Sequence, residues 1–128
     1  MGKLFTVVLI FMYSFFNFSN LNAQHQNIMI SDLNFPNEPS ITINPKNTNE
    51  LMAGSNISNY YYTIDGGLTW FENTLTSTFG VWGEPVMACD TTGSFYFFHL
   101  SNPPSGNWID RIVSQRTPTL GGTWTNGG

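Results

Sequence analysis

Five carboxylates are the residues of this chain best suited to catalysis, because a pair of acids can hydrolyse a glycosidic bond. In such enzymes one carboxylic acid protonates the leaving oxygen and a second carboxylate acts as nucleophile or base. The candidates are Glu38, Asp65, Glu84, Asp90 and Asp110. Glu38 and Glu84 each precede a proline at the start of a similar segment, which favours a repeated structural role for these two over a unique catalytic one.

The other reactive side chains give weaker signals. His99 follows Phe95 and Phe97 at the spacing of one strand face, which predicts a packed or pocket-lining histidine. Cys89 is the only cysteine, so the chain has no internal disulfide, and we expect a buried apolar role for it. The run from Asp90 to Gly93 lacks the alternating oxygen ligands of a calcium loop. The sequence therefore predicts neither a metal nor a cofactor.

Aromatic residues supply a second kind of candidate site. Trp82, Trp108 and the run Tyr60–Tyr62 could stack on sugar rings, or they could fill spaces between packed sheets. The two alternatives stay open at this point.

The composition is that of a folded, acidic and weakly charged protein. The 128 residues are 41% hydrophobic and only 9% charged, which is too apolar for a disordered tail. Four Lys and Arg against eight Asp and Glu give a net charge of -4. Such a charge provides no basic surface for nucleic acid, and we expect no nucleic-acid partner.

Residues 1–23 have the pattern of a bacterial export signal. Lys3 supplies the positive start, an apolar run covers residues 4–16, and Leu21 and Ala23 suit the positions before a cleavage site. The alternative, a membrane anchor, needs about 20 apolar residues, and asparagines interrupt this run too early. We expect a secreted or extracytoplasmic protein with no stable membrane span after cleavage.

Beyond the leader, the sequence predicts only strands and turns. Aromatic and β-branched runs such as Tyr60–Ile64 alternate with clusters of Asn, Asp, Gly and Pro. Asp65-Gly66-Gly67 lies between two such runs and indicates a hairpin over residues 63–71, with a strand resuming at Leu68. No window carries an apolar stripe of helical period long enough for a helix. The predicted fold class is all-β.

An internal repeat organises these strands. Glu38 opens the first unit and Glu84 the second, and each unit ends at a tryptophan, Trp70 or Trp124. The openings are 46 residues apart and the tryptophans 54, so we place the extra residues in a longer loop around residues 101–108. Four short strands in a repeat of roughly 50 residues are typical of a β-propeller blade.

The first hairpin carries a family motif. The residues Thr63-x-Asp65-x-Gly67-x-Thr69-Trp70 match every fixed position of the Asp-box, or bacterial neuraminidase repeat, Ser/Thr-x-Asp-x-Gly-x-Thr-Trp. A degenerate second copy has Thr119 in place of the aspartate and keeps the remaining fixed residues, which are Thr117, Gly121, Thr123 and Trp124. The stretch from residue 37 to residue 124 resembles the N-terminal part of the secreted, sialidase-like Asp-box β-propellers of bacteria.

The resemblance implies an incomplete propeller. It divides the chain into a signal peptide at 1–23, an N-terminal segment at 24–36, a first Asp-box blade at 37–72 and a longer second blade at 73–128. Each blade is expected to be a four-stranded antiparallel sheet. About two blades leave open sheet edges, so we expect the chain to need further blades of its own parent protein.

In this family the Asp-boxes lie on the outer rim, away from the catalytic pocket. The residue types agree with a structural role, because Asp65 can close its turn by accepting backbone N–H groups. Gly67 can adopt positive φ, and Trp70 offers a large apolar plate that we expect to pack on the next blade.

Sialidases of this family hold the substrate carboxylate with three arginines and use a tyrosine–glutamate pair as nucleophile. No arginine precedes Thr63, where the family has its first, and Arg111 and Arg116 are too few for the triad. We expect Arg111 to pair with Asp110 at the rim. The resemblance thus leaves two hypotheses: a sialidase-type glycoside hydrolase whose catalytic residues lie elsewhere in its parent, or a non-catalytic propeller that binds glycans or glycoproteins or acts as a scaffold.

Overall fold

The computed structural model describes residues 26–128, so the predicted export signal and its cleavage site lie outside the described residues. This part of the chain contains seven strands and no helix, which confirms the all-β class. The strands are β1 (Ser40–Ile43), β2 (Leu51–Ser55), β3 (Asn59–Thr63), β4 (Phe71–Thr74), β5 (Trp82–Cys89), β6 (Phe95–Leu100) and β7 (Ile112–Thr117). The described segments accordingly include no helix long and apolar enough to cross a membrane.

The strands form two antiparallel sheets in which consecutive strands are neighbours. The first sheet has the order β1-β2-β3-β4 and the second the order β5-β6-β7. The second sheet therefore has three regular strands where four were expected. Residues 123–128 lie beside β7 instead, with Thr125 N donating to Arg116 O at 2.8 Å. Regular pairing fails there because the segment is rich in glycine, and Gly127 has a φ of 88° that strands do not adopt.

The register of the two sheets is the same. In the first sheet the ladder begins at Ser40, two residues after Glu38, where Ser40 pairs with Gly54. In the second sheet Trp82 pairs with Leu100, and after an irregularity the continuous ladder starts two residues after Glu84, where Val86 pairs with Phe98. The second sheet has a shorter turn between its first two strands and a much longer connection between the next two. That long connection covers residues 101–111, so the predicted position of the extra loop is confirmed.

The two sheets pack face to face and are closest at their first strands. β5 contacts both β1 and β2, and Met87 N donates to Ser40 Oγ at 2.9 Å across the interface. Farther out, the Trp124 ring fills the wider space between the sheets, with its centroid 5.4 Å from Tyr60 and 6.2 Å from Phe97. The buried core between the sheets consists of Met52, Tyr60, Leu75, Met87, Phe95 and Phe97.

Gly54 lets the sheets approach at this interface. A Cβ atom at this position would lie 2.9 Å from Phe97 Cε2 and 3.1 Å from Met87 Sδ. We expect Gly54→Ala to lower the unfolding free energy by about 1–3 kcal/mol, because the added methyl overpacks the core. Urea unfolding measures the effect, and Ser105→Thr, which adds one methyl on an exposed loop, is the control. Equal stability of the two variants would contradict this account of the interface.

Candidate functional site

The Asp65 carboxylate closes the turn between β3 and β4. Its Oδ1 accepts the N–H groups of Leu68 and Thr69, each at 2.9 Å. The Thr69 hydroxyl donates to Oδ2 at 2.6 Å, and the Thr63 hydroxyl donates to Oδ1 at 2.7 Å. These bonds, above all that from the Thr69 hydroxyl, hold the pKa of the Asp65 carboxyl well below its usual range. The predicted bonding to turn N–H groups is confirmed, and a carboxylate held as an anion is unsuited to act as a general acid.

Two expectations about this hairpin are wrong. The strand does not resume at Leu68 but at Phe71, because Asp65 takes the N–H groups that a strand pairing would need. Trp70 does not occupy the space between the sheets; its Nε1 donates to Gly67 O at 3.0 Å, so the ring lies over its own turn. Trp124 of the second copy is the tryptophan that packs against the core.

The degenerate turn uses backbone groups where the first turn uses a carboxylate. Thr119 O accepts the Thr117 hydroxyl at 2.8 Å and the Gly122 N–H at 3.1 Å. Gly121, with a φ of 65°, lies against the first sheet, since a Cβ there would be 2.6 Å from Tyr62 Oη. Thr123, another fixed position of this copy, is exposed. Both copies of the motif therefore form structural turns.

Both arginines have side-chain partners within the chain. Arg111 forms the predicted pair with Asp110, with Nη2 2.7 Å from Oδ2 and Nε 3.0 Å from Oδ1, although it precedes β7 and is not part of it. The Arg116 Nη2 donates to Ser94 Oγ at 2.6 Å. Hydrogen bonds from Arg111 and Ser101 lower the pKa of Asp110 to about 2.

The remaining candidate carboxylates do not form a catalytic pair. Asp90 Oδ1 accepts the Thr92 hydroxyl at 2.6 Å and the N–H groups of Ser94 at 3.0 Å and Thr92 at 2.8 Å. These bonds, above all that from the Thr92 hydroxyl, hold the Asp90 pKa well below its usual range. Glu38 and Glu84 lie exposed, each two residues before the start of a continuous ladder at Ser40 or Val86. Within residues 26–128, no three His, Cys, Asp or Glu side chains are grouped so that they could hold a metal ion.

We expect the acidic turns to make stability depend on pH. The Asp110 pKa is near 3.8 when unfolded and about 2 when folded, and those of Asp65 and Asp90 are lowered in the same direction. The stability that these groups contribute is therefore present above about pH 4 and is lost as the pH falls through the folded pKa values. Urea unfolding at neutral pH and at successively lower pH measures this loss. A shallower acid loss is expected for Asp65→Asn, and an unchanged slope would contradict the assignment.

His99 and Cys89 have structural environments. His99 is buried, and its Nε2 donates to Gln115 Oε1 at 3.0 Å. This confirms the packed histidine expected from the strand pattern. The half-buried Cys89 packs against the core, where burial and the nearby Asp90 and Glu50 charges raise the pKa of its thiol. A thiol that resists ionisation is a poor nucleophile.

Gln115 was not singled out by the sequence. Its Nε2 donates to Thr76 O at 2.9 Å and to Thr125 O at 2.7 Å, so this buried amide joins three separate parts of the chain. In the first sheet, the equivalent pair of positions carries the buried contact between Ser55 Oγ and Tyr61 Oη at 3.0 Å. Only this correspondence between the two sheets could have pointed to Gln115, and it can be seen only once the strand pairing is known.

Hydrogen bonds hold the two ends of the long loop at residues 101–111 together. The buried Ser101 hydroxyl donates to Asp110 Oδ1 at 2.8 Å, and Ser101 N donates to Arg111 O at 3.1 Å. Asn102 N donates to Phe79 O at 2.9 Å, which ties the loop to the segment before β5. The ends of the loop are thus fixed by hydrogen bonds, and its middle residues extend from them.

At this loop lies the most exposed aromatic group of the second sheet, which we call the aromatic surface: Phe79, Trp82, Trp108, Ile109 and Arg111. Trp108 is 62% exposed, and its ring packs edge-on against Trp82 with centroids 5.9 Å apart. Arg111 lies over Phe79 at 5.3 Å. Because Asp110 pairs with Arg111, this surface combines an apolar indole plate with little net charge.

The three tyrosines of the run Tyr60–Tyr62, the other candidates for sugar stacking, are packed within the protein. Tyr60 and Tyr61 are buried, and Tyr62 stacks on Phe71 at 5.0 Å. Of the aromatic residues singled out for sugar stacking, only Trp82 and Trp108 form an accessible pair.

Two cavities complete the description. A polar cleft of about 300 Å³ opens between the end of the first sheet and the C-terminal segment, lined mainly by Thr74, Thr76, Thr123 and Thr125. An apolar cavity of about 200 Å³ lies between the N-terminal segment and β2, lined by Ile30, Pro36, Pro39, Ala53 and Tyr61 among others.

Comparison with known proteins adds no relative: no family model, no curated protein and no solved structure matches this chain.

Proposed function

We propose that this chain is part of an exported, sialidase-like Asp-box β-propeller whose described part is a non-catalytic, glycan-binding scaffold. The complete motif from Thr63 to Trp70 supports the family, and the Asp65 hydrogen bonds give that motif the structural role expected of it. Two successive sheets with one register, closest at their first strands, support the blade arrangement.

The positions of the charged groups support a non-catalytic role. Asp65, Asp90 and Asp110 are engaged in turns, and both arginines have partners within the chain. Sialoside hydrolysis needs an arginine site for the substrate carboxylate and a nucleophile at the anomeric carbon. The alternative, a parent enzyme with its catalytic residues outside this chain, shares the same scaffold.

The observation that carries the glycan proposal is the exposed Trp108 ring, packed on Trp82 in the loop where the two repeats differ most. Repeated positions serve the common framework, whereas function is concentrated in loops held by a rigid scaffold. An exposed indole plate can stack on the apolar face of a sugar ring. The neutral Arg111–Asp110 pair favours an uncharged sugar over a sialic acid.

Glycan binding is tested by titrating the purified chain with neutral oligosaccharides and with sialosides while following tryptophan fluorescence. We expect binding of a neutral oligosaccharide and at least about a tenfold loss of affinity in Trp108→Ala, because exposed indole anchors dominate such sites. Phe35→Ala removes another exposed ring, in the N-terminal segment, and is expected to leave affinity unchanged.

Equal affinities of Trp108→Ala and the parent chain would overturn the assignment of the aromatic surface. Hydrolysis of a fluorogenic sialoside by the purified chain would overturn the non-catalytic role.

A further inference from the structure

The polar cleft lies between the last strand of the first sheet and the segment beside the last strand of the second. One wall is formed by the end of β4 and the residues after it, and the other by residues 122–126. Its volume of about 300 Å³ is at the lower limit of small-molecule sites, which range from about 300 to 1,000 Å³. The cleft is therefore large enough for a small ligand.

Four threonines line this cleft because the residues between them point into the protein. Leu75 is buried in the core, and Trp124 packs against the core from the other wall. Each is flanked by two exposed threonines, and together these are Thr74, Thr76, Thr123 and Thr125. Since a hydroxyl group can both donate and accept a hydrogen bond, the cleft presents several groups that bind other hydroxyls well.

Hydrogen bonds hold the two walls at a fixed separation. The buried Gln115 amide donates to Thr76 O on one wall at 2.9 Å and to Thr125 O on the other at 2.7 Å. Thr78 N donates to Asn126 Oδ1 at 2.8 Å, which joins the same two segments farther along. A cleft held in this way pays little to become ordered when it binds a ligand, and this favours affinity.

The cleft also adjoins a hydrogen-bond donor that lacks an acceptor. Trp124 lines the cleft, and its buried Nε1 has no hydrogen-bond partner among residues 26–128. In the first copy of the motif the corresponding Trp70 Nε1 donates to Gly67 O. Because buried donors are nearly always partnered, this one points to an acceptor from outside the described chain. An oxygen atom of a ligand can satisfy it, either directly or through one bound water.

The lining of the cleft favours a neutral ligand. Within the described residues it consists of threonine, glycine, tryptophan and asparagine, with no charged side chain. A carboxylate, phosphate or ammonium group is bound most strongly by a group of opposite charge, and this cleft offers none. A neutral molecule with several hydroxyl groups matches both the lack of charge and the threonine hydroxyls.

We propose that this cleft binds a neutral sugar residue. The threonine hydroxyls exchange hydrogen bonds with the sugar hydroxyls, and Trp124 Nε1 donates to a sugar oxygen directly or through one water. The cleft is a second site, distinct from the aromatic surface around Trp108, and neither site requires the other.

The test is a titration of the full chain, labelled with ¹⁵N, with neutral mono- and disaccharides. The chain has four tryptophans, so their indole N–H signals report on the two sites separately in one NMR spectrum. The variants Trp70→Phe, Trp82→Phe and Trp108→Phe assign the other three signals. We expect a saturable shift of the Trp124 signal, because its N–H gains an acceptor. The Trp70 signal is expected to stay in place, since that N–H is already bonded within its own turn.

A double variant tests the threonine hydroxyls. Thr74→Val with Thr123→Val replaces two exposed hydroxyls by methyl groups and keeps the shape of the cleft. We expect at least about a tenfold loss of affinity at the Trp124 signal, because two hydrogen bonds to the sugar are lost. Thr48→Val makes the same replacement at an exposed position in the turn between β1 and β2, and this control is expected to leave the affinity unchanged. Circular dichroism of each variant confirms that it is folded.

An unshifted Trp124 signal, or an affinity that the double variant leaves unchanged, would overturn the inference. A shift produced by an uncharged extended peptide and by none of the sugars would overturn it as well, since it would assign the cleft to a polypeptide partner. Shifts at Trp82 and Trp108 without a shift at Trp124 would overturn only this inference. A shift at Trp124 alone would overturn only the assignment of the aromatic surface.

Discussion

The free energy of unfolding of the Phe97→Ala variant is expected to be about 3–5 kcal/mol lower than that of the parent chain. Phe97 is fully buried, and its ring lies against Gly54 of the first sheet and near Trp124 of the C-terminal segment. Removing the ring therefore opens a cavity at the point where both sheets and the last segment meet. Since a domain of this size is stable by only about 5–15 kcal/mol, the loss is a large part of the total.

Phe98→Ala is the matched control for this prediction. Phe98 is the next residue of β6, points to the opposite face and is only half-buried. Urea unfolding of both variants compares the loss of the same side chain on the two faces. We expect the Phe98→Ala loss to be less than half of the Phe97→Ala loss. Equal losses would show that the space between the sheets is not the principal core.

The Gln115→Leu variant is expected to lose about 3 kcal/mol of unfolding free energy, because leucine has a similar size but cannot form the three side-chain hydrogen bonds of the buried Gln115. Thr76 O and Thr125 O lose their donor, and His99 Nε2 loses its acceptor. A buried polar group left without a partner costs about 1–3 kcal/mol. Hydrogen exchange is expected to accelerate at Thr125 N, since the C-terminal segment loses its attachment to β7.

Tyr61→Phe provides the comparison at the equivalent position of the first sheet. It removes one side-chain contact, that between Tyr61 Oη and Ser55 Oγ, and we expect a loss of about 1 kcal/mol. If Gln115→Leu were no more destabilising than Tyr61→Phe, the linking role of Gln115 would be refuted.

The local features of this protein could be predicted because the interacting atoms are close in sequence. Asp65 bonds to groups three and four residues ahead, so its spacing to Leu68 and Thr69 already specifies the turn. Arg111 pairs with its immediate neighbour, Asp110. The all-β class and the place of the long loop follow in the same way from strand-forming runs and from the spacing of the repeat.

The candidate site could be predicted only in part. Trp82 and Trp108 stood out as aromatic residues, but the sequence could not separate them from the buried tyrosines Tyr60 and Tyr61. Exposure depends on which face of a strand a neighbouring sheet covers, and that is a property of packing.

What only the tertiary structure decided involves partners far apart in the chain. Two similar Gly-x-Thr-Trp turns leave Trp70 over its own turn and place Trp124 between the sheets, because only the second turn adjoins Tyr62 and Phe97 of the opposed faces. Gln115 acquires its role from Thr76, 39 residues away. Composition, spacing and the Asp-box thus determined the fold class, the repeat and the turns. The packing of the two sheets decided which tryptophan enters the core and which one stays at its own turn, because burial depends on contacts between residues that are far apart in the sequence.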